Sequence, residues 1–381
     1  MKNFEVKTKI CFGEHALDRL MQLKYQKITV IADPFVVSSG MIRQVTDRLA
    51  QAQIRYTVFS DVVPDPPLEK VIAGVGEVLR ERPECIVAIG GGSAIDLSKA
   101  VRKFACEIEP SFSPWLIAIP TTSGTGSEVT AFAVISDPEK SMKYPLAEES
   151  MIPDEAILDE ELVKSVPASI TADTGMDVLT HAIEAYVSIN NNEFSAALAE
   201  KSVEICGQFL LRSYDDNNDT HARRKMHLAS CLAGLAFNSA SLGLNHGMAH
   251  QLGATFHIPH GRANAILLPH IIEYNAEIDM HSRSRASYAP CVRKYCNMAR
   301  ILGLSNLNEV TTIRALVSYV EFMSKEMSIP LSVSACGGIS EGEYMSKIEF
   351  MAEAALNDTC TATNPRVPTK ADVMELYRKI W

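Results

Sequence analysis

The sequence predicts an α/β domain built on a parallel sheet over residues 1–167, followed by an all-helical domain over residues 168–381. Three observations carry that reading. Short, almost continuously apolar runs punctuate the first part, amphipathic stretches separate them, and the β-rich signal fades beyond Pro167. The runs are Lys27–Ala32, Arg55–Phe59, Cys85–Gly90 and Trp115–Pro120. Ile28-Thr29-Val30-Ile31, Cys85 to Ile89 and Leu116 to Ile119 have the texture of parallel strands covered on both faces. Helical periodicity near 41–52, 68–81 and 94–106 completes a βαβα pattern. In the second part, segments 172–188, 194–213, 221–239, 285–303 and 309–326 space their apolar residues as helices do.

Composition narrows the function. With 381 residues, 47% of them hydrophobic, the chain can fill two cores. Lys plus Arg number 36 against 46 Asp plus Glu, a net charge of −10, and no basic block breaks that balance. Nucleic acid is therefore excluded as a partner. The richest basic run, Arg223-Arg224-Lys225, reads as a solvated helix face. Nine scattered cysteines without CxxC pairs suit a reducing compartment. Neither an apolar signal core nor a membrane-length apolar run is read, so no membrane association and a cytoplasmic location are expected.

Two loops carry the signature of a phosphate-bearing ligand. Gly90-Gly91-Gly92-Ser93-Ala94-Ile95-Asp96 follows a buried strand and opens a helix. Three successive glycines exceed what a tight turn needs, and they let backbone N–H groups approach a pyrophosphate. Pro120-Thr121-Thr122-Ser123-Gly124-Thr125-Gly126-Ser127 again follows an apolar strand, the place of a ligand crevice in a doubly wound sheet. Asp33 closes the strand Lys27–Ala32, where a carboxylate could accept bonds from an adenosine ribose and repel a 2′-phosphate, or simply end a strand. It precedes the glycine loop, whereas the acid of the common dinucleotide fingerprint follows it.

The second half holds a metal-ligand pattern. Asp177 and His181, four apart in a predicted helix, leave the same face one turn apart. Alone, such a pair is more often a surface hydrogen bond. Five of the ten histidines, however, lie at 246, 250, 257, 260 and 270. His246 and His250 share a helix face, and His260 opens a new segment after a proline. Three imidazoles and one carboxylate make an N₃O set suited to Fe²⁺ or Zn²⁺. His257 and His270 read as structural.

Taken together, these stretches resemble the iron-containing (group III) alcohol dehydrogenase family over nearly the whole chain. The likeness runs through Gly90–Asp96, Thr121–Val129, Gly175–Ala185, His246–Gly253 and Pro259-His260-Gly261, with Asp358-Thr359-Cys360 and Asn364-Pro365-Arg366 near the end. The resemblance implies a Rossmann-like dinucleotide-binding α/β domain plus an all-α metal-binding and substrate domain, the dehydroquinate synthase-like/iron alcohol dehydrogenase fold. It implies metal ligation by Asp177, His181, His246 and His260, with His250 beside the metal as proton relay or substrate contact. Asp33 would face the adenine ribose, and Gly91, Gly92 and Ser93 the pyrophosphate. Thr121, Thr122, Ser127 and Lys143 would line the nicotinamide side, and Asp65 and Asp96 complete the cofactor set. Asp65 stands where many relatives carry Asn. The pocket would use Phe132, Phe237, Leu242 and Cys360, a less polar lining than diol-using relatives have.

The activity so implied is hydride transfer between a short-chain primary alcohol and NAD(H), assisted by Fe²⁺ with Zn²⁺ as the alternative ion. Within the family, Lys143-Tyr144-Pro145-Leu146, Asn192-Glu193-Phe194 and Leu244-Asn245-His246 look most like the propanol dehydrogenases of propanediol-utilisation microcompartments. A homodimer and a microcompartment association follow from resemblance alone. Two alternatives stay open at this point. One is an NAD- and metal-dependent lyase or cyclase of the dehydroquinate synthase type, which should show basic residues near the metal. The other is a non-catalytic nucleotide-binding assembly subunit with a vestigial site.

Overall fold

All four apolar runs become strands with the predicted limits, here labelled β2 (Lys27–Ala32), β3 (Arg55–Phe59), β4 (Cys85–Gly90) and β5 (Trp115–Pro120). The structure, a computed structural model, describes residues 4–137, 142–278, 291–304 and 307–381. Two shorter strands, β1 (Lys9–Phe12) and β8 (Glu155–Leu158), extend the sheet to six in the order β1-β8-β5-β4-β2-β3. Every neighbouring pair is parallel. The two remaining strands, β6 (Phe132–Asp137) and β7 (Met142–Ala147), form a separate antiparallel hairpin. Periodicity missed β8 because four residues are too short to show a pattern.

Alternate residues of the strands fill two cores. Ile28, Val30, Val87, Ile89, Ile117 and Ile119 face one way, and Ile31, Ile86, Ala88, Leu116 and Ala118 the other. Each fully buried Val, Leu or Ile contributes about 1.5–3 kcal/mol, so the continuously apolar runs are explained by coverage on both faces. Helices Leu68–Glu81 and Gly92–Ile108 lie against the second core. Because the sheet is parallel, the loops after β2, β3, β4 and β5 all leave from one edge. From β2 the chain passes to β3 on one side, then crosses to β4 and β5 on the other. The switch point therefore lies between β2 and β4, where doubly wound sheets bind ligands.

The chain divides into compact units Met1–Val166 and Pro167–Trp381. The second is helical throughout its described residues. Helices Ala168–Val187, Glu193–Asp215, Thr220–Ala240 and Glu309–Glu326 match predicted segments, and Val292–Ile301 falls within 285–303, whose first residues lie outside the described ones. Among described residues, no single helix is long and apolar enough to cross a membrane. One expectation fails: Arg223 does not face solvent. It is buried, and its guanidinium donates to Thr171 Oγ1 at 2.9 Å and to Asn217 Oδ1. Its run of basic neighbours hid a structural residue behind a surface-like sequence.

Candidate functional site

At the switch point of the sheet, three loop beginnings meet. Asp33 follows β2 and caps the short helix Pro34–Ser38, accepting from Val36 N at 2.8 Å. Gly90 takes φ +153°, and a Cβ there would lie 2.6 Å from Asp33 Oδ2 and 2.7 Å from Ala94 Cβ. Only glycine fits, and the clash measures how closely Asp33 approaches the glycine loop. Thr121 N donates to Gly90 O at 2.9 Å, which brings the loop after β5 alongside. Asp33, Gly91, Gly92, Ser93, Thr121 and Thr122 thus share one edge.

Asp96 and Ser127 are engaged inside the protein. Ser127 Oγ donates to Asp96 Oδ1, and Asp96 Oδ2 accepts from Val134 N at 3.0 Å. Between them works Lys99, fully buried, whose Nζ donates to Ser127 Oγ (2.8 Å), Thr130 Oγ1 (3.2 Å) and Phe132 O (2.7 Å). Burial pushes the Lys99 ammonium down to about 8, against the pull of Asp96 and Glu128. All three hydrogens of this ammonium are spent on the segment Ser127–Phe132, so Lys99 fastens that loop to helix Gly92–Ile108. Asp65 adopts φ +47° and its carbonyl accepts from Ser136 Oγ at 2.6 Å; burial raises the Asp96 pKa, with a small further push from the Asp65 carboxylate. Lys143 lies on β7, its side chain outside the described residues.

The cation-site candidates converge within the second unit. Asp177, His181, His246 and His260 each offer a donor atom within 4.8 Å of the others. Asp177 and His181 stand on helix Ala168–Val187, buried almost all round from Gly175 onward, so their polar groups must be paired. His246 opens helix Leu244–Phe256, and His260 is the first residue of helix His260–Ala276. A Cβ on Gly261 would fall 1.9 Å from Asp173 O, so the absence of a side chain there lets the two helix backbones touch. That approach carries His260 Nε2 to 3.5 Å from Asp177 Oδ1, with His246 Nε2 at 3.6 Å. Two ligands about 2.1 Å from one ion at a tetrahedral angle stand roughly 3.4 Å apart, so the spacing fits a divalent first-row metal.

Electrostatics fit it too. Burial alone would raise Asp177, yet the imidazoles of His181, His260 and His246 hold it well below the usual carboxylate range. Burial would lower His246, but Glu184 and Asp177 lift it to about 9, so these carboxylates favour a positive charge there, which an ion would supply on displacing the proton. Burial, helped by the other imidazoles and opposed by Asp177, takes His260 down to about 3, leaving its lone pair free at neutral pH. Rings stack in order: Phe237 on His181 (centroids 4.6 Å apart) and His181 on His246 (4.5 Å). Phe237 thereby joins the cluster, whereas Leu242 is buried nearby in sequence and carries its carbonyl to Thr363 Oγ1. Phe132 belongs to the first unit.

Four supporting residues escaped the sequence reading. Glu184 Oε2 bonds His246 Nδ1 and its Oε1 accepts from Asn245 N at 2.8 Å, which fixes the imidazole with Nε2 toward Asp177. Asn264 Nδ2 lies 2.7 Å from Asp177 Oδ1 and 3.1 and 3.2 Å from His246 Nε2 and His260 Nε2. Asn245 Nδ2 holds the Asn264 amide by its oxygen at 2.8 Å. Asp358 receives His250 Nδ1 at 2.8 Å. Spacing could have found two of them: Glu184 lies seven residues after Asp177, and Asn264 four after His260, each on the ligand face. By contrast, Cys291 and Cys296 give their thiols to backbone carbonyls.

A parallel-sheet unit with glycine and hydroxyl loops at its switch point and a helical unit with an N₃O cluster define the class of proteins suited to a nucleotide and a divalent metal. Residues 7–160 match the model of the iron-containing alcohol dehydrogenases, and residues 171–381 that of the carboxy-terminal part of the Fe-containing alcohol dehydrogenase family. The chain belongs to the iron-containing alcohol dehydrogenase family. It is 42% identical to a 1-propanol dehydrogenase of Citrobacter freundii over 386 residues, covering 100% of both chains. It is 36% identical to an NADPH-dependent butanol dehydrogenase of Clostridium saccharobutylicum, covering 100% of this chain and 98% of the relative. A solved 1,3-propanediol oxidoreductase superposes with a TM-score of 0.90 at 29% identity, covering 100% of both chains. Neither the cyclase nor the scaffold alternative finds support among these relatives.

Proposed function

We propose that this dehydrogenase interconverts a short-chain primary alcohol, of propanol size, and its aldehyde, using NAD(H) and an Fe²⁺ ion. The observation that carries it is the convergence of Asp177, His181, His246 and His260 from three helices on one point. When bound there, a divalent ion acts as a Lewis acid toward the substrate oxygen, and the nicotinamide carries the hydride. The chain's own work is positioning. Asp177 and the three imidazoles hold the ion, Glu184 and Asn264 hold the imidazoles and the carboxylate, and His250 passes the hydroxyl proton outward. Gly91, Gly92 and Ser93 receive the pyrophosphate, and Thr121 and Thr122 face the nicotinamide. Ser127 and Asp96 keep that loop in place, with Asp65 alongside.

Asp33 favours NAD over NADP, because a carboxylate beside the glycine loop repels a 2′-phosphate. The near-apolar residues Phe237, Leu242 and Cys360 of the second unit favour an unadorned alkyl chain over a diol. The donor set serves Zn²⁺ as well as Fe²⁺, and the family favours iron. A cytoplasmic homodimer is our reading of its state. Similarity to a 1-propanol dehydrogenase supports association with a bacterial microcompartment.

The test is metal analysis of the purified protein joined to NAD and NADP assays with ethanol, propanol, butanol, propanediols and glycerol. Fe²⁺ near one per chain with fastest NAD reduction on propanol is expected, and His246→Ala should lose both ion and turnover. Turnover unchanged in His246→Ala after complete metal removal defeats the proposal.

A further inference from the structure

Beside the cation ligands, one imidazole is held by a carboxylate from a distant part of the chain. His250 lies one turn after His246 on helix Leu244–Phe256. Its ring stacks against that of His260 with centroids 5.4 Å apart and 15° between planes, and meets His246 edge-on at 6.0 Å. Nδ1 lies 2.8 Å from Asp358 Oδ2, a residue 108 positions later. The Asp358 side chain is 9% exposed and the His250 side chain 26%.

Asp358 is itself over-determined. Its Oδ1 accepts from Cys360 N at 2.9 Å, so both oxygens are engaged. The following turn is anchored by Thr361 Oγ1 donating to Ala355 O at 2.7 Å, and by Thr363 Oγ1 donating to Leu242 O at 2.6 Å. From the other side, Tyr377 OH donates to Met248 O at 3.0 Å, tying the carboxy-terminal helix to the helix that bears His250. Burial would raise this carboxyl, but the His250 bond and the Cys360 amide hold it down at about 2. It is therefore an anion throughout the neutral range and can only accept.

We propose that Asp358 is the positioning residue for His250: it locks the imidazole in the Nδ1–H tautomer, so that the Nε2 lone pair is the one available to substrate. This rests on the proton-relay reading of His250 given above. A bound nicotinamide would supply the acceptor for the hydride and its two electrons, and His250 Nε2 would take the hydroxyl proton and pass it to solvent. Asp358 neither gains nor loses a proton. An amide in its place would offer an N–H to Nδ1 and favour the opposite tautomer, with the proton on Nε2 and no lone pair for substrate, as in the Asp-to-Asn change of a serine protease triad.

The test compares Asp358→Asn, Asp358→Glu, His250→Phe and the double variant His250→Phe/Asp358→Asn as cation-loaded enzymes. Asp358→Asn should lower kcat by roughly 10²-fold, the range of a lost acid–base group. Its KM for NAD and its cation content should not move, and Asp358→Glu should recover part of the rate. The double variant should be no slower than His250→Phe alone, because the carboxylate acts only through the ring. Wild-type kcat in Asp358→Asn, or losses that multiply in the double variant, overturn the proposal. A second readout needs no turnover: ¹⁵N spectra of the histidine-labelled, zinc-loaded protein should show His250 as the Nδ1–H tautomer in the wild type and altered in Asp358→Asn. If the wild type oxidises no alcohol, the functional reading fails while this spectrum still decides the role of Asp358, and an unchanged tautomer refutes it.

Discussion

The two units build their sites from opposite materials. In the first, backbone does most of the work: a glycine at φ +153°, loop N–H groups at a sheet edge, and a buried lysine that ties one loop to a helix. In the second, side chains do it: one carboxylate and three imidazoles from three helices, each oriented by another polar side chain or a stacked ring. A backbone-built cradle reads shape and charge shared by many nucleotides, whereas a side-chain cluster fixes atoms at bonding distance. The first should therefore respond to mutation through affinity, the second through presence or absence of the ion.

The sharpest way to break this contrast is Gly261→Ala. Its new Cβ would meet the Asp173 carbonyl carbon and oxygen, which cannot move as a flexible side chain can, so His260 must shift. Cation content should fall at least about tenfold, a displaced ligand costing no less than a lost supporting contact, while NAD binding to the first unit stays within a factor of about two. Metal analysis beside cofactor titration checks both halves. Equal loss of cofactor and cation would erase the distinction between the units.

The complementary effect, on cofactor rather than cation, is expected at Lys99. Lys99→Met keeps volume but removes three donors to Ser127, Thr130 and Phe132. Charged hydrogen bonds contribute about 1.5–3 kcal/mol, so KM for NAD should rise roughly tenfold or more with cation content unchanged. Steady-state kinetics at saturating alcohol is the measurement.

The smallest effect is one of pH. His227 is buried in helix Thr220–Ala240, and burial lowers its pKa to about 4. A folded-state pKa below the unfolded one means that the unfolded chain takes up the proton first. Stability is thus full above about pH 6.5 and is lost as pH falls toward 4. Denaturant midpoints across that window should decline less steeply in His227→Gln than in the wild type.

Sequence alone yielded β2, β4 and β5 because they are buried on both faces, and the more exposed edge strand β3 because its residues are β-formers. It yielded the four ligand positions because i, i+4 spacing and a histidine cluster leave a trace along the chain. Strand β8, an interior strand of only four residues, left none because it is too short to show a pattern, and the hairpin stands apart from the apolar parallel sheet. Arg223 misled because a buried guanidinium and a solvated one look alike without their partners. Asp358 was invisible as a support for the same reason: what defines it is a neighbour reached through folding, 108 residues away. Ser127 and Asp96 were read as cofactor contacts, and the structure adds that each is also bonded to the other.

The contact of Gly261 with the Asp173 carbonyl also bears on recombination. Two helices touching through main-chain atoms leave no tolerance for a foreign partner, since no rotamer can absorb a mismatch of even half an ångström. Chimeras that exchange residues 168–187 with a homologue should retain the ion only when 260–276 travel with them. Crossovers between the two, however natural they look in an alignment, would separate surfaces that were shaped as a pair.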